Sequence, residues 1–289
     1  MFKIGTITDQ ADMDFEKALA FIKGLGIEYV ELHALWNKNI EELDDDEIAE
    51  AGRLLGKYGL KTSLISSTLF LQCHLFESDK TFGPIDDYFI TIAGDWGFHM
   101  KALERCIKLC DVFDTDKIRI FGFIKEDPDL DENRAVEKVK ESLIKPLEMV
   151  EKEGLTLVLE NCPHTYLQFG SLTSRVIEEI GSKHFRALWD PANAMRSGGK
   201  PYPEDYGNIR RYIKHVHAKD ISLDGEPHMV PLGEGVIDYG GIVQSLLDDG
   251  FSGVLSLEPE YVDEKGGRPE GLRKSYEGIK TVLKEIGVS

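Results

Sequence analysis

Leu155-Thr156-Leu157-Val158-Leu159-Glu160 is short, almost wholly apolar, and joined to the helical pattern before it through Glu153-Gly154. Side chains along a strand alternate between two faces. Leu155, Leu157 and Leu159 therefore share one face, which needs a layer of helices to cover it. Glu160 closes the strand on the opposite face. The stretch reads as a parallel strand packed under helices, with a carboxylate at its C-terminal end. Working outward, the same unit recurs. Candidate strands are Lys3–Thr8, Tyr29–His33, Lys61–Ser66, Lys117–Phe123, Thr156–Asn161, Phe185–Asp190, Ile213–His217 and Val254–Glu258. Between them lie helical patterns. Phe15, Ala18, Leu19 and Ile22 follow the spacing of one buried helix face, as do Val136, Val139, Leu143, Leu147 and Val150, with a kink expected at Pro146. Asp44 reads as the N-cap of a helix over Glu47–Lys57, and Gly59 as its stop. Eight strands alternating with helices predict an α/β chain folded as one (β/α)8 barrel, a single domain over residues 1–289. A doubly wound sheet fits less well, since the first turn, Thr8-Asp9-Gln10, has no glycine-rich phosphate loop.

Composition narrows the partners. The 289 residues are 42% hydrophobic and 30% charged, enough apolar material for a large core. Against 34 basic residues stand 52 acidic ones, a formal charge of −18. Such a surface repels phosphate backbones and anionic lipid, so neither nucleic acid nor membrane is an expected partner. Cys73, Cys106, Cys110 and Cys162 show no paired spacing, and Cys106 and Cys110 read as small buried hydrophobes; a reducing, cytoplasmic setting follows. No secretory signal is expected from the strand-like start, and no apolar run is long enough to span a bilayer. Three long connections, Ser67–Gly97 (with His74, Tyr88 and Trp96), Asn193–Asp205 and Lys219–Asp238, follow strand C-terminal ends, where barrel enzymes build active sites. In the third, Val230–Gly235 reads as a rim loop.

Strand parity then selects polar residues where a barrel core should be apolar. With Leu157 and Leu159 outward, Glu160 points inward. With Trp189 outward, Asp190 points inward. Val216 outward leaves His215 and His217 inward, and Leu255 and Leu257 outward leave Ser256 and Glu258 inward. Four strands thus end in an inward ionisable group: Glu160, Asp190, His217 and Glu258. Three buried carboxylates close together need a cation. One divalent metal ion meets that need, and three oxygen donors with one imidazole suit Mn2+ first, then Mg2+, Co2+ or Zn2+. The competing arrangement is pairing with inward bases such as Arg119, Lys219 or Lys3.

The same residues stand in ordered strings: Leu157-Val-Leu-Glu-Asn161, Leu188-Trp-Asp-Pro-Ala-Asn193, Lys214-His-Val-His-Ala-Lys-Asp220, Leu232-Gly-Glu-Gly235 and Leu255-Ser-Leu-Glu258. In combination they resemble the sugar phosphate isomerase/epimerase family of xylose-isomerase-like (AP endonuclease 2-like) TIM barrels. That family includes ketose 3-epimerases, inosose dehydratases and hydroxypyruvate isomerases. The resemblance implies a divalent ion held by Glu160, Asp190, His217 and Glu258, with Glu160 and Glu258 doubling as acid and base. It implies isomerisation or epimerisation of a small sugar or sugar phosphate through a metal-stabilised enediolate, and a homo-oligomer, dimer or tetramer. Ketose 3-epimerases, however, carry a histidine where this chain has Asn193, and an arginine where it has Leu223. The run His215–Asp220 is closer to the dehydratase and uncharacterised isomerase branches.

Substrate contacts are expected from Lys219, Asn193, His74, His164 and Glu31. Glu31 has the alternative of pairing with Arg119, and Trp36 and Trp96 are candidates for an apolar wall. The alternative function is a dehydratase or lyase of an inosose or keto-sugar on the same site. More remote are an endonuclease acting at abasic DNA sites and a non-catalytic sugar-binding barrel. The endonuclease needs three zinc ions and many more histidines than the eight present.

Overall fold

The computed structural model describes residues 2–76, 82–83, 85, 89–263 and 267–288. All eight expected strands form: β1 (Lys3–Ile7), β2 (Tyr29–Leu32), β3 (Lys61–Leu69), β4 (Lys117–Phe121), β5 (Thr156–Glu160), β6 (Phe185–Trp189), β7 (Ile213–Ala218) and β8 (Val254–Leu257). Each pairs in parallel with its neighbours in the chain, and β8 returns to β1 in the register Lys3–Val254 to Thr6–Leu257. The closed ring has no free edge to blunt.

The helices follow from local chemistry. In α1 (Phe15–Leu25) the buried residues are Phe15, Ala18, Leu19 and Ile22. In α2 (Asp45–Tyr58) the Asp44 side chain accepts from the Glu47 amide while Glu47 reaches back to the Asp44 amide. Two of the helix's unpaired donors are satisfied in that exchange. Gly59 ends α2 at φ 62°, the left-handed conformation glycine adopts at no steric cost. After α3 (Trp96–Val112), α4 (Glu132–Lys152) buries Val136, Val139, Leu143, Leu147 and Val150. Pro146 lies inside α4 without ending it. Its missing N–H costs one rung of the ladder, and the buried turns on either side hold the rest.

Strand parity sorts the apolar residues into two bodies. Leu157, Leu159, Trp189, Val216, Leu255 and Leu257 belong to the large core between strands and helices. Inside the barrel, Leu64, Val158 and Leu188 form a separate small cluster. That cluster is the floor on which the polar residues of the mouth stand.

Among the described connections, two depart from expectation. Asn193 is not in an open loop: a short helix, Pro191–Arg196, begins directly after β6, with Asp190 as its N-cap. Pro191 at the first helical position, preset in φ, explains the early start. The Lys219–Asp238 connection carries a two-stranded ribbon, Asp220–Ser222 against His228–Val230. Its rim loop is tied down by Asp220, which accepts from the amides of Gly233 (3.0 Å), Gly235 (3.1 Å) and Ile237 (3.2 Å). Tyr88, in the first long connection, lies outside the described residues. Among the described residues no helix is long and apolar enough to cross a membrane. All four cysteines are buried and free.

Candidate active site

β5, β6, β7 and β8 end around one point. Glu160 is the last residue of β5, Asp190 follows β6, His217 is next to last in β7 and Glu258 follows β8. One ligand atom from each lies within 4.8 Å of all the others. Glu160 and Glu258 are 2% exposed, Asp190 and His217 fully buried. The inward parity read from the four strands is realised.

Each acid is aimed by specific neighbours. Glu160 Oε2 accepts from Arg119 (3.2 Å), and Oε1 accepts from the Asn193 amide (3.1 Å). Asp190 Oδ1 is spent on the N-cap, accepting from the Asn193 N–H at 2.8 Å. Lys219 Nζ stands 3.0 Å from Asp190 Oδ2, 2.9 Å from Glu258 Oε2 and 2.6 Å from Glu260 Oε1. His217 turns Nε2 toward Glu31 Oε2 at 3.1 Å, which leaves Nδ1 facing Glu258 (3.1 Å) and Glu160 (3.5 Å).

These charges set the titration of the site. Burial pushes Asp190 up to about 6, and Glu160 and Glu258 add to that push against the pull of Lys219. Burial would also raise Glu258, but Lys219 and His217 overcome it and hold that carboxyl well below its ordinary value. Burial opposes charge on His217 and Lys219 as well, yet the surrounding carboxylates carry both well above their ordinary values. Bases and acids thus do pair, as the competing arrangement anticipated, through Arg119 and Lys219. Lys3 takes no part: its ammonium lies over the Tyr29 ring, 4.6 Å from the centroid.

The pairing is incomplete. Asp190 Oδ2 and His217 Nδ1 are buried and make no aligned hydrogen bond, their contacts being the ion pairs with Lys219 (3.0 Å) and Glu258 (3.1 Å). A buried polar atom left without one is costly, and such atoms are few in folded proteins. Both point into the same cluster of carboxylates. An imidazole whose second nitrogen bonds a carboxylate is the usual arrangement of a metal-ligating histidine, and Glu31 supplies that carboxylate. Three hard oxygen donors and one nitrogen therefore fit a divalent cation.

The other expected contact residues separate. Lys219, Asn193 and His164 line the cavity beside the acids. Glu31 does not pair with Arg119. It is fully buried below the cluster, bonded to His215 (2.7 Å), His217 and the Ser66 hydroxyl (2.8 Å), because its inward position on β2 faces β7 across the barrel. His74 is not brought to the acids: its Nδ1 lies 2.8 Å from Glu126, and its ring stacks on Phe82. Neither tryptophan forms the apolar wall. Trp36 packs edge-on against Phe15, and Trp96 starts α3 with Lys145 over its ring, since both belong to the helix layer. The wall is instead Leu71, Ile85, Phe89, Phe121 and Cys162. Arg119, expected as an inward base, is also a cavity residue. Arg196 and Glu260 also line the cavity; they stand on connections, where no periodicity marks them.

Residues 19–282 match the family model described as xylose isomerase-like TIM barrel. A 3-dehydroshikimate dehydratase of Bacillus anthracis is 25% identical over 181 residues, 57% of this chain and 64% of that protein. The alignment thus spans less than two thirds of that relative. Among solved structures, the IOLI protein with a bound zinc atom superposes with a TM-score of 0.75 at 15% identity, covering 99% of both chains. An L-ribulose 3-epimerase superposes at 0.71 and 18% identity, over 99% of this chain and 96% of that one. At these identities the superpositions establish the shared barrel.

Proposed function

We propose, for a chain that belongs to the xylose isomerase-like TIM barrel family, a divalent-metal-dependent enzyme that isomerises or epimerises a small sugar or sugar phosphate. The observation that carries this reading is the convergence of Glu160, Asp190, His217 and Glu258, two of whose buried ligand atoms make no hydrogen bond within the protein. Mn2+ suits the donor set best, with Mg2+, Co2+ and Zn2+ behind it. A bound ion supplies Lewis-acid stabilisation of the negative charge that develops on a substrate oxygen.

The chain's own residues divide the remaining work. Glu160 and Glu258 both line the cavity, and one removes a proton from carbon while the other returns it. Arg119 and Asn193 fix Glu160, and Lys219 fixes Glu258, so neither base has to search for its geometry. The Lys219 ammonium donates to a substrate oxygen. Phe89 and Phe121 exclude water beside the reacting carbon.

A second reading, dehydration of a keto-sugar or related cyclic substrate, shares the first proton abstraction and then expels a β-hydroxyl as water. Two observations favour it: the buried cationic donor Lys219 beside the acid pair, and the dehydratase among the sequence relatives. The test is a solvent-deuterium screen of the metal-loaded protein with ketoses, ketose phosphates, inososes and 3-dehydroshikimate. Deuterium at carbon without loss of water supports epimerisation or isomerisation; a dehydrated product supports the second reading. Glu160→Gln is expected to abolish exchange with the far-ultraviolet spectrum unchanged. An active, metal-loaded Glu160→Gln protein would remove Glu160 from its role.

A further inference from the structure

The short helix Pro191–Arg196 joins two polar groups of the site: Asp190 caps its start and Arg196 is its last residue. Arg196 lines the cavity beside the acids, and its side chain is 35% exposed, which puts it at the mouth. Its guanidinium is lightly used. Among the described residues it makes a single hydrogen bond, from Nη1 to Glu260 Oε2 at 3.3 Å, so most donors of its fork are left over. Arg119, by contrast, is committed to the Ser66 and Ser67 carbonyls and to Glu160.

Glu260 is what aims Arg196. Its carboxylate bridges two cations, with Oε1 2.6 Å from Lys219 Nζ and Oε2 on Arg196. The residue takes φ 48°, the left-handed region that a side chain with a Cβ enters only at a steric cost. Its own amide holds it there, donating to Gln10 Oε1 at 3.0 Å. Strained residues of this kind gather where a ligand is clamped.

Charge decides what the unused side of Arg196 receives. The negative charge of Glu160, Asp190 and Glu258 is balanced by one divalent ion together with Arg119, His217 being neutral as a ligand. Glu31 lies below them, bonded to His215, His217 and Ser66, and does not line the cavity. Lys219, Arg196 and Glu260 remain at the mouth, two cations to one anion. His164, beside them, adds no negative charge. A surplus of positive charge is thus set into a chain whose formal charge is −18. A guanidinium with unused N–H groups matches the paired oxygens of a carboxylate or a phosphate.

We propose that Arg196 is the specificity-determining residue of this site, and that the substrate carries a carboxylate or phosphate group which the Arg196 guanidinium receives at the cavity mouth. Glu260 is its positioning partner. Placing that group on a substrate rests on the function proposed above; the anion site at Arg196 does not.

Isothermal titration calorimetry of the Mn2+-loaded protein with inorganic phosphate, glycolate and the neutral diol ethylene glycol tests the site. Phosphate or glycolate should bind and the diol should not, the tighter anion marking the substrate as a phosphate ester or an acid. Arg196→Met should weaken that anion about tenfold or more, the loss of a charge-assisted hydrogen bond, with Mn2+ affinity unchanged. Arg196→Lys keeps the charge without the fork and should recover part of the loss. Glu260→Gln removes the competing negative charge and should tighten the anion. Neither anion bound, or an Arg196→Met protein binding them as wild type does, would overturn the site. The solvent-deuterium screen separates this inference from the proposed function. Turnover of neutral ketoses or inososes with a KM indifferent to Arg196→Met leaves that function and removes the anionic substrate. Arg196-dependent anion binding with no compound turned over leaves the site and removes the function.

Discussion

Replacing Lys219 by methionine removes the ammonium that sits 3.0, 2.9 and 2.6 Å from Asp190, Glu258 and Glu260. The side chain is 3% exposed, so solvent cannot take over its charge, and methionine fills nearly the same volume. What remains is a buried set of carboxylates short of one cation. Breaking a buried pair in this way costs about 3–5 kcal/mol. Unfolding entropy of ~2.1 cal/mol/K per residue, taken over 289 residues, comes to roughly 0.6 kcal/mol/K, so Tm in chelator should fall by about 5–8 °C. A divalent ion at one hundred times its Kd adds ~2.7 kcal/mol to the wild type, or about 4–5 °C. In Lys219→Met the ion should restore more than that, because it neutralises acids that have lost their lysine. Differential scanning fluorimetry in chelator and in Mn2+ reads all four values. A Lys219→Met protein melting within about 1 °C of wild type in chelator, or two proteins equally indifferent to divalent ions, would refute the electrostatic reasoning.

Two further outcomes follow from the geometry. Glu31→Gln keeps the shape of the group bonded to His215 and His217 but removes its charge, and should weaken divalent-metal affinity about 10–100-fold without unfolding the barrel; competition with a chromogenic chelator measures it. His99 accepts from the Phe70 amide through Nδ1 (3.1 Å) and faces the Gln72 carbonyl with Nε2 (3.1 Å), a pattern only the neutral ring satisfies, and burial lowers it to about 4 from 6.5. Stability is therefore unaffected by this group above pH 6.5 and declines as pH falls from there toward about 4, the loss reaching about 3 kcal/mol. Denaturant midpoints of His99→Asn across that window should slope less than those of wild type; an unchanged slope would show that His99 is not the titrating group.

What was legible beforehand was whatever repeats with a period. Alternation along Leu155–Glu160 assigned Leu157 and Leu159 to the helix layer and Glu160 to the mouth, and the two separate apolar bodies follow that division. The same parity brought out Asp190, His217 and Glu258, because a polar side chain at an inward strand end breaks an otherwise apolar pattern. The helix faces of α1 and α4 were legible for the same reason. Residues on connections carry no such pattern. Glu260 and Phe89 reach the cavity from loops and Arg196 from the end of a short helix, and His74 was assigned to it from chain position alone and lies elsewhere. Glu31 had the right parity, but its partners could not be read from it.

The chain's own alternation of apolar and polar residues determined that this is a closed (β/α)8 barrel, and which side chains face its axis, since burial of apolar surface has the same period as the backbone. Only the tertiary structure decided which inward groups meet. Whether Arg119 pairs with Glu31 or Glu160, and which nitrogen of His217 faces the acids, depend on strand register across the barrel. Those contacts join residues far apart in the chain through forces that act over a few ångströms, and no local pattern records them.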